Sequence, residues 1–85
     1  MKELRVLGIL VSHRNKDAVQ IQEVLTKYGC NIKTRLGLHD VTDNPCSPHG
    51  LILLELMGDV EECNRLENEL LAINDLQVKK MVFEH

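Results

Sequence analysis

Eighty-five residues with a formal net charge of −3 make one domain whose core is marginal for independent stability. One Phe, one Tyr and no Trp exclude an aromatic base-stacking platform. No basic run is longer than Lys79-Lys80, so direct nucleic-acid binding is not expected. The apolar run after Arg5 is too short for a signal segment with its cleavage site. It also falls far short of the ~20 residues of a membrane span, so a cytoplasmic location away from membranes is expected. Cys30, Cys46 and Cys63 form no Cys-x-x-Cys, so neither a zinc ribbon nor a thioredoxin motif is present. They read as free thiols, with Cys30 and Cys63 as small buried hydrophobes.

In chain order, residues 3–12 are aliphatic at both parities, which marks a central strand covered on both faces. Gly8 inside it is expected to relieve close packing against a helix. Asn15 is a candidate N-cap, and Ala18, Ile21, Val24, Leu25 and Tyr28 fall at helical spacing before Gly29, predicting a helix over about 15–29. From 30 to 38 the alternation puts Cys30, Ile32, Thr34, Leu36 and Leu38 on one side and Asn31, Lys33, Arg35 and Gly37 on the other, an edge strand. Residues 39–49 hold two prolines and cannot be regular structure. A two-sided apolar strand follows over 50–57. Asp59 and Glu62 form a capping-box-like start to a helix over about 59–74. Its buried stripe is Cys63, Leu66, Leu70 and Ile73, while Glu61, Arg65, Glu67 and Glu69 face water. Residues 76–83 make a last strand, marked as an edge by Gln77, Lys79 and Lys80.

The order β-α-β-β-α-β predicts one α+β domain over 1–85, a ferredoxin-like sandwich. Its four-stranded antiparallel sheet has strand order 4-1-3-2 and two helices on one face. The two-sided runs then land on the two central strands. The other sheet face would show several of Leu7, Ile9, Val11, Leu51, Leu53, Met57, Met81 and Phe83, or their opposite-parity neighbours. An apolar patch of that kind predicts a homodimer or higher homo-oligomer.

Topology gathers the chemistry at one end of this fold, where the first strand, the 39–49 connection and the first helix meet. His39, Cys46 and His49 there, with His13 and nearby carboxylates, are the donor types that suit nickel, zinc or copper. A solvated loop whose histidines hydrogen-bond locally is the plainer alternative. The helix start offers a second possibility, a small-anion or metabolite site formed by His13, Arg14, Lys16 and Arg35. Cys46 as a nucleophile with His39 or His49 as base lacks an oxyanion-hole motif and a third orienting group, so no catalytic residue is assigned and no enzyme is expected. A protein-interaction subunit without any small ligand is the further alternative.

The segments Arg35–Leu38, Cys46–Asp59 and Leu76–Phe83 resemble the small single-domain proteins labelled iron-only hydrogenase system regulators. These are ACT-like and related to the C-terminal domain of nickel-responsive repressors. The resemblance covers nearly the whole chain and is more specific for fold than for activity. It implies a regulatory module that senses a small ligand or a metal and assembles through its sheets, without catalysis. In the nickel-responsive domain histidines and a cysteine around strands two and three hold the metal, a region where this chain has His39, Cys46 and His49. The paired His-x-His of that domain is missing, since position 37 is Gly. A DNA-binding ribbon-helix-helix segment is likewise not expected, since the first strand begins almost at residue 1.

Overall fold

A nine-residue strand rich in Leu, Ile and Val, β1 (Glu3–Val11), lies inside the sheet and pairs antiparallel along both of its edges. In this computed structural model residues 3–11, 14–39 and 50–85 are described, the side chains of 14–17 and 38–39 excepted. After β1 come α1 (Arg14–Lys27), a 3-10 turn (Gly29–Asn31), β2 (Ile32–His39), β3 (Gly50–Leu56), α2 (Val60–Leu71) and β4 (Leu76–Glu84). The sheet order is β2-β3-β1-β4, the order expected from the two-sided apolar runs. β2 and β4 are the edges.

Register decides which parity meets the helices. Leu7 lies opposite Leu54, and Ile9 opposite Ile52. Leu7, Ile9, Val11, Leu54 and Leu56 join Ile21, Val24, Leu25 and Tyr28 of the first helical stretch and Cys63, Leu66, Leu70 and Ile73 of the second in one core. Ala18, expected in the first stripe, is exposed. The open face therefore carries Leu4, Val6, Leu10, Leu36, Leu51, Leu53, Met81 and Phe83. Leu7, Ile9 and Val11 are not on it. A two-sided run hides its own phase, because period-2 alternation cannot be read where both parities are apolar.

Other expectations change with the geometry. Gly8 lies on the open face, where an added Cβ would sit 3.7 Å from Leu53 Cδ2, so it faces a neighbouring strand and not a helix. The register shifts between Ile32 and Thr34. That bulge turns Ile32 toward the core while Thr34 and Leu36 follow the open side, which breaks the single alternation expected for 30–38. Cys30 falls in the 3-10 turn and is exposed, whereas Cys63 is buried. α1 begins at Arg14, so Asn15 lies inside the helix and not at its cap.

Candidate functional site

One row of the ladder closes one end of the sheet: His39 pairs with Gly50, Gly50 with Val11, and Val11 with Leu76. α1 opens at Arg14, three positions after Val11, with Lys16 in its first turn. The end of β1, the end of β2, the start of β3 and the start of α1 thus meet at one end, as topology predicted. Of the candidate metal ligands, His39 is the last residue of β2. His49 directly precedes Gly50, the backbone partner of His39. His13, Cys46 and His49 lie outside the described residues, as do the side chains of His39, Arg14 and Lys16. Among the described residues no group of three or more His, Cys, Asp or Glu could hold a metal.

Arg35 is the candidate ligand residue whose side chain is placed. It sits on the helix-side parity of β2, opposite Leu54. Its Nη2 donates to Gln22 Oε1 of α1 at 2.5 Å. The contact links β2 to α1 and holds an exposed guanidinium beside the helix that opens with Arg14 and Lys16.

A second concavity of about 600 Å³ lies at the opposite end of the sheet, between Glu3, Leu4, Lys33, Glu55, Met57, Gly58 and His85. Its floor is apolar and its wall carries the Lys33–Glu55 pair at 3.8 Å. Two features make its geometry. Gly58 has φ +91, and a Cβ there would fall 3.0 Å from Asn31 Nδ2, so a side chain at this position would be both strained and crowded. Asn31 bridges the strand end, its Nδ2 donating to Met57 O at 3.2 Å while its carbonyl accepts from Met57 N at 2.8 Å.

Two polar clusters were not legible in the sequence. Arg5 is buried on the helix side of β1. Its Nε donates to Glu3 Oε1 at 2.7 Å, and its Nη1 donates to Asn64 Oδ1 at 2.8 Å and Glu67 Oε1 at 3.1 Å. Lys80 adds a contact to Glu67 at 3.4 Å. Glu67, expected to face water, is instead half-buried against Arg5. In the second cluster the Tyr28 hydroxyl donates to Glu69 Oε2, and Lys27 Nζ reaches the same oxygen at 3.0 Å. These donors, the tyrosine first, pull the Glu69 carboxyl below its ordinary range. The same hydrogen bond to Glu69 raises Tyr28, with burial second. Burial pushes the Cys63 thiol up, which suits a packing role better than a reactive one. A useful signal for Arg5 was its place inside an otherwise aliphatic central strand.

No family model and no curated protein matches the sequence. Solved structures do. An uncharacterized protein from Thermotoga maritima is 26% identical with a TM-score of 0.82, over 99% of this chain and 100% of that one. The ACT domain from the GTP pyrophosphokinase of Chlorobium tepidum is 18% identical with a TM-score of 0.68, over 95% and 100%. CPII from Thiomonas intermedia K12, solved bound to ADP, AMP and acetate, is 13% identical with a TM-score of 0.51, over 99% and 91%. With the strand order above, these likenesses fix the fold as ferredoxin-like and ACT-like.

Proposed function

We propose that this chain is a small cytoplasmic regulatory module without catalytic activity, which binds a small anionic metabolite and works through self-association. The observation that carries the reading is the closing ladder row His39–Gly50–Val11–Leu76 with α1 starting at Arg14. It brings the start of a helix, with its free N–H groups, to that end of the sheet; Arg14 and Lys16 belong to its first turn by sequence, and Arg35 lies four positions back from His39, on the side of the sheet that faces α1. His13 belongs to the same connection by sequence. The ACT-like fold and the nucleotide-bound neighbour support a ligand-responsive role for this architecture. The open apolar face supports assembly. The likeness of Arg35–Leu38, Cys46–Asp59 and Leu76–Phe83 to the iron-only hydrogenase system regulators supports a regulator of that kind.

A second reading, transition-metal sensing or delivery, draws on His39, Cys46 and His49. It is favoured by the backbone pairing of His39 with Gly50, the residue next to His49. Nickel or zinc would suit this donor set.

Native mass spectrometry of protein purified without chelator and without a histidine tag separates these readings. An assembly carrying a small organic mass that Arg14→Ala/Lys16→Ala loses bears out the first. Stoichiometric metal lost in His39→Ala/Cys46→Ala, with folding intact, replaces it by the second. A monomer with no bound mass sinks both and leaves an interaction subunit.

A further inference from the structure

We propose that the outer edge of β4 is a self-recognition edge. It takes β4 of a second copy antiparallel, with Val82 opposite Val82 of the partner subunit. An edge strand presents half of its N–H and C=O groups to solvent and templates a further strand unless something blunts it. The two edges of this sheet differ in that respect. β2 carries a bulge between Ile32 and Thr34, and Lys33 and Arg35 are exposed along it. β4 runs unbroken, in continuous register with β1 from Leu76 opposite Val11 to Glu84 opposite Glu3. Its second half exposes apolar side chains on both faces at once: Met81 is 56% exposed, Val82 44% and Phe83 51%. An edge that is long, regular and two-sidedly apolar is one that ordinarily pairs.

Charge selects the partner and the register. Centring on Val82 sets Lys80 against the partner's Glu84 and Met81 against the partner's Phe83, and each pair occurs twice by symmetry. Opposite charges and large apolar groups directly across a ladder are the favourable cross-strand pairs. Shifting the centre to Lys80 would place Lys80 against itself. Shifting it to Met81 would set Lys79 against Phe83 and Val78 against Glu84, and centring on Phe83 would set Val82 against Glu84. Only the Val82 register matches charge with charge and apolar with apolar, so the strand is complementary to itself. Because opposed residues share parity, both copies keep their helices on the same side and one sheet runs through the pair. Phe83 and Met81 lie beside Leu4 and Val6, so pairing also joins the two open-face strips.

The proposal is independent of which ligand the other end of the sheet takes, and charge inversion tests it. In sedimentation velocity at micromolar protein, Glu84→Lys and Lys80→Glu each split the wild-type assembly into halves, weakening self-association roughly tenfold or more. An equimolar mixture of the two single variants re-forms the full-size species. One copy then carries a lysine at both positions and the other a carboxylate at both, so each cross-strand pair is again of opposite charge. Lys80 also contacts Glu67 at 3.4 Å, so Glu84→Lys, which leaves that contact in place, is the arm that holds if Lys80→Glu folds poorly. A wild-type monomer, unchanged mass in Glu84→Lys, or dissociation only by an open-face change such as Leu36→Lys would overturn the edge. The last outcome would leave the ligand reading untouched.

Discussion

At the scale of single residues, the strongest constraint is a cation taken out of water. Arg5 is 5% exposed and tolerable only because Glu3, Asn64 and Glu67 accept from it. Replacing it with Met removes the charge and strands those acceptors, since breaking a buried pair costs more than the pair contributed. Arg5→Met is therefore expected to lose about 2–3 kcal/mol in urea unfolding, with Glu67→Gln losing less because the amide oxygen still accepts. The Tyr28–Glu69–Lys27 cluster predicts a pH signature. The Glu69 pKa is depressed in the folded state. The stability it contributes is therefore present above its ordinary value of 4.5 and lost as pH falls through the lower folded value. Tyr28 is raised above 10.0, so its contribution is present below that pH and lost as pH rises through the higher folded value. Tyr28→Phe should flatten both limbs of a plot of melting temperature against pH, and Glu69→Gln should remove the same acid limb. Thiol chemistry divides similarly. Cys30 is exposed, and Cys63 is buried with its thiol pKa raised. Peptide-resolved alkylation at neutral pH should label Cys30 in the native protein and Cys63 only after unfolding.

At the scale of elements, α2 shows how a boundary is set. Gly58 turns the chain in a left-handed conformation, and Asp59 Oδ1 then accepts from Glu61 N at 3.0 Å. Glu62, read in the sequence as the return half of a capping box, instead takes Arg65 one turn on. Asp59→Ala should cost about 1 kcal/mol of stability in chemical unfolding. Gly58→Ala should cost more than removing the cap, because it adds strain at φ +91 to a tight 3.0 Å contact with the Asn31 side chain. The contrast explains what could be read in advance. Apolar side chains at both parities of 3–11 and 50–56 already required central strands, and the period-3.6 stripe Cys63–Leu66–Leu70–Ile73 already required one buried helix face. Both are local periodicities. The bulge at Ile32/Thr34, the burial of Glu67 under Arg5 and the exposure of Cys30 depend on what lies across the sheet. Arg5 and Glu67 are 62 positions apart, and no local pattern encodes that distance. The candidate site divides along the same line. Element order implied the gathering of chain ends at the His39–Gly50 row, whereas the reach of Arg35 to Gln22 needed the packing of α1 on β2 to be known.

At the scale of the whole molecule, two helices cover one face of a four-stranded sheet and leave the other to find its own cover. The open face is graded. At one end Thr34 bonds to Glu55, with Lys33 near the same carboxylate. Toward the other end Leu36, Leu53, Leu51 and Leu10 sit in adjacent rows. Leu53 Cδ2 leans over Gly8, which has no side chain of its own. A surface with a polar margin and a continuous leucine patch is arranged like an interface, with an apolar centre and a hydrated rim. None of these leucines is among the fully buried core, so a charge placed on the exposed Leu36 meets solvent in the isolated chain and costs little folding energy. Leu36→Lys should therefore leave the melting temperature of the isolated subunit within a few degrees. In an assembly covered on this face it would bury an unpaired ammonium. The expected result is a wild-type-like circular dichroism spectrum together with a smaller species in sedimentation. A species of unchanged mass would mean that the leucine patch is not a second contact surface beside the β4 edge. A collapse of the spectrum would mean that Leu36 supports the subunit itself, which its 49% exposure argues against.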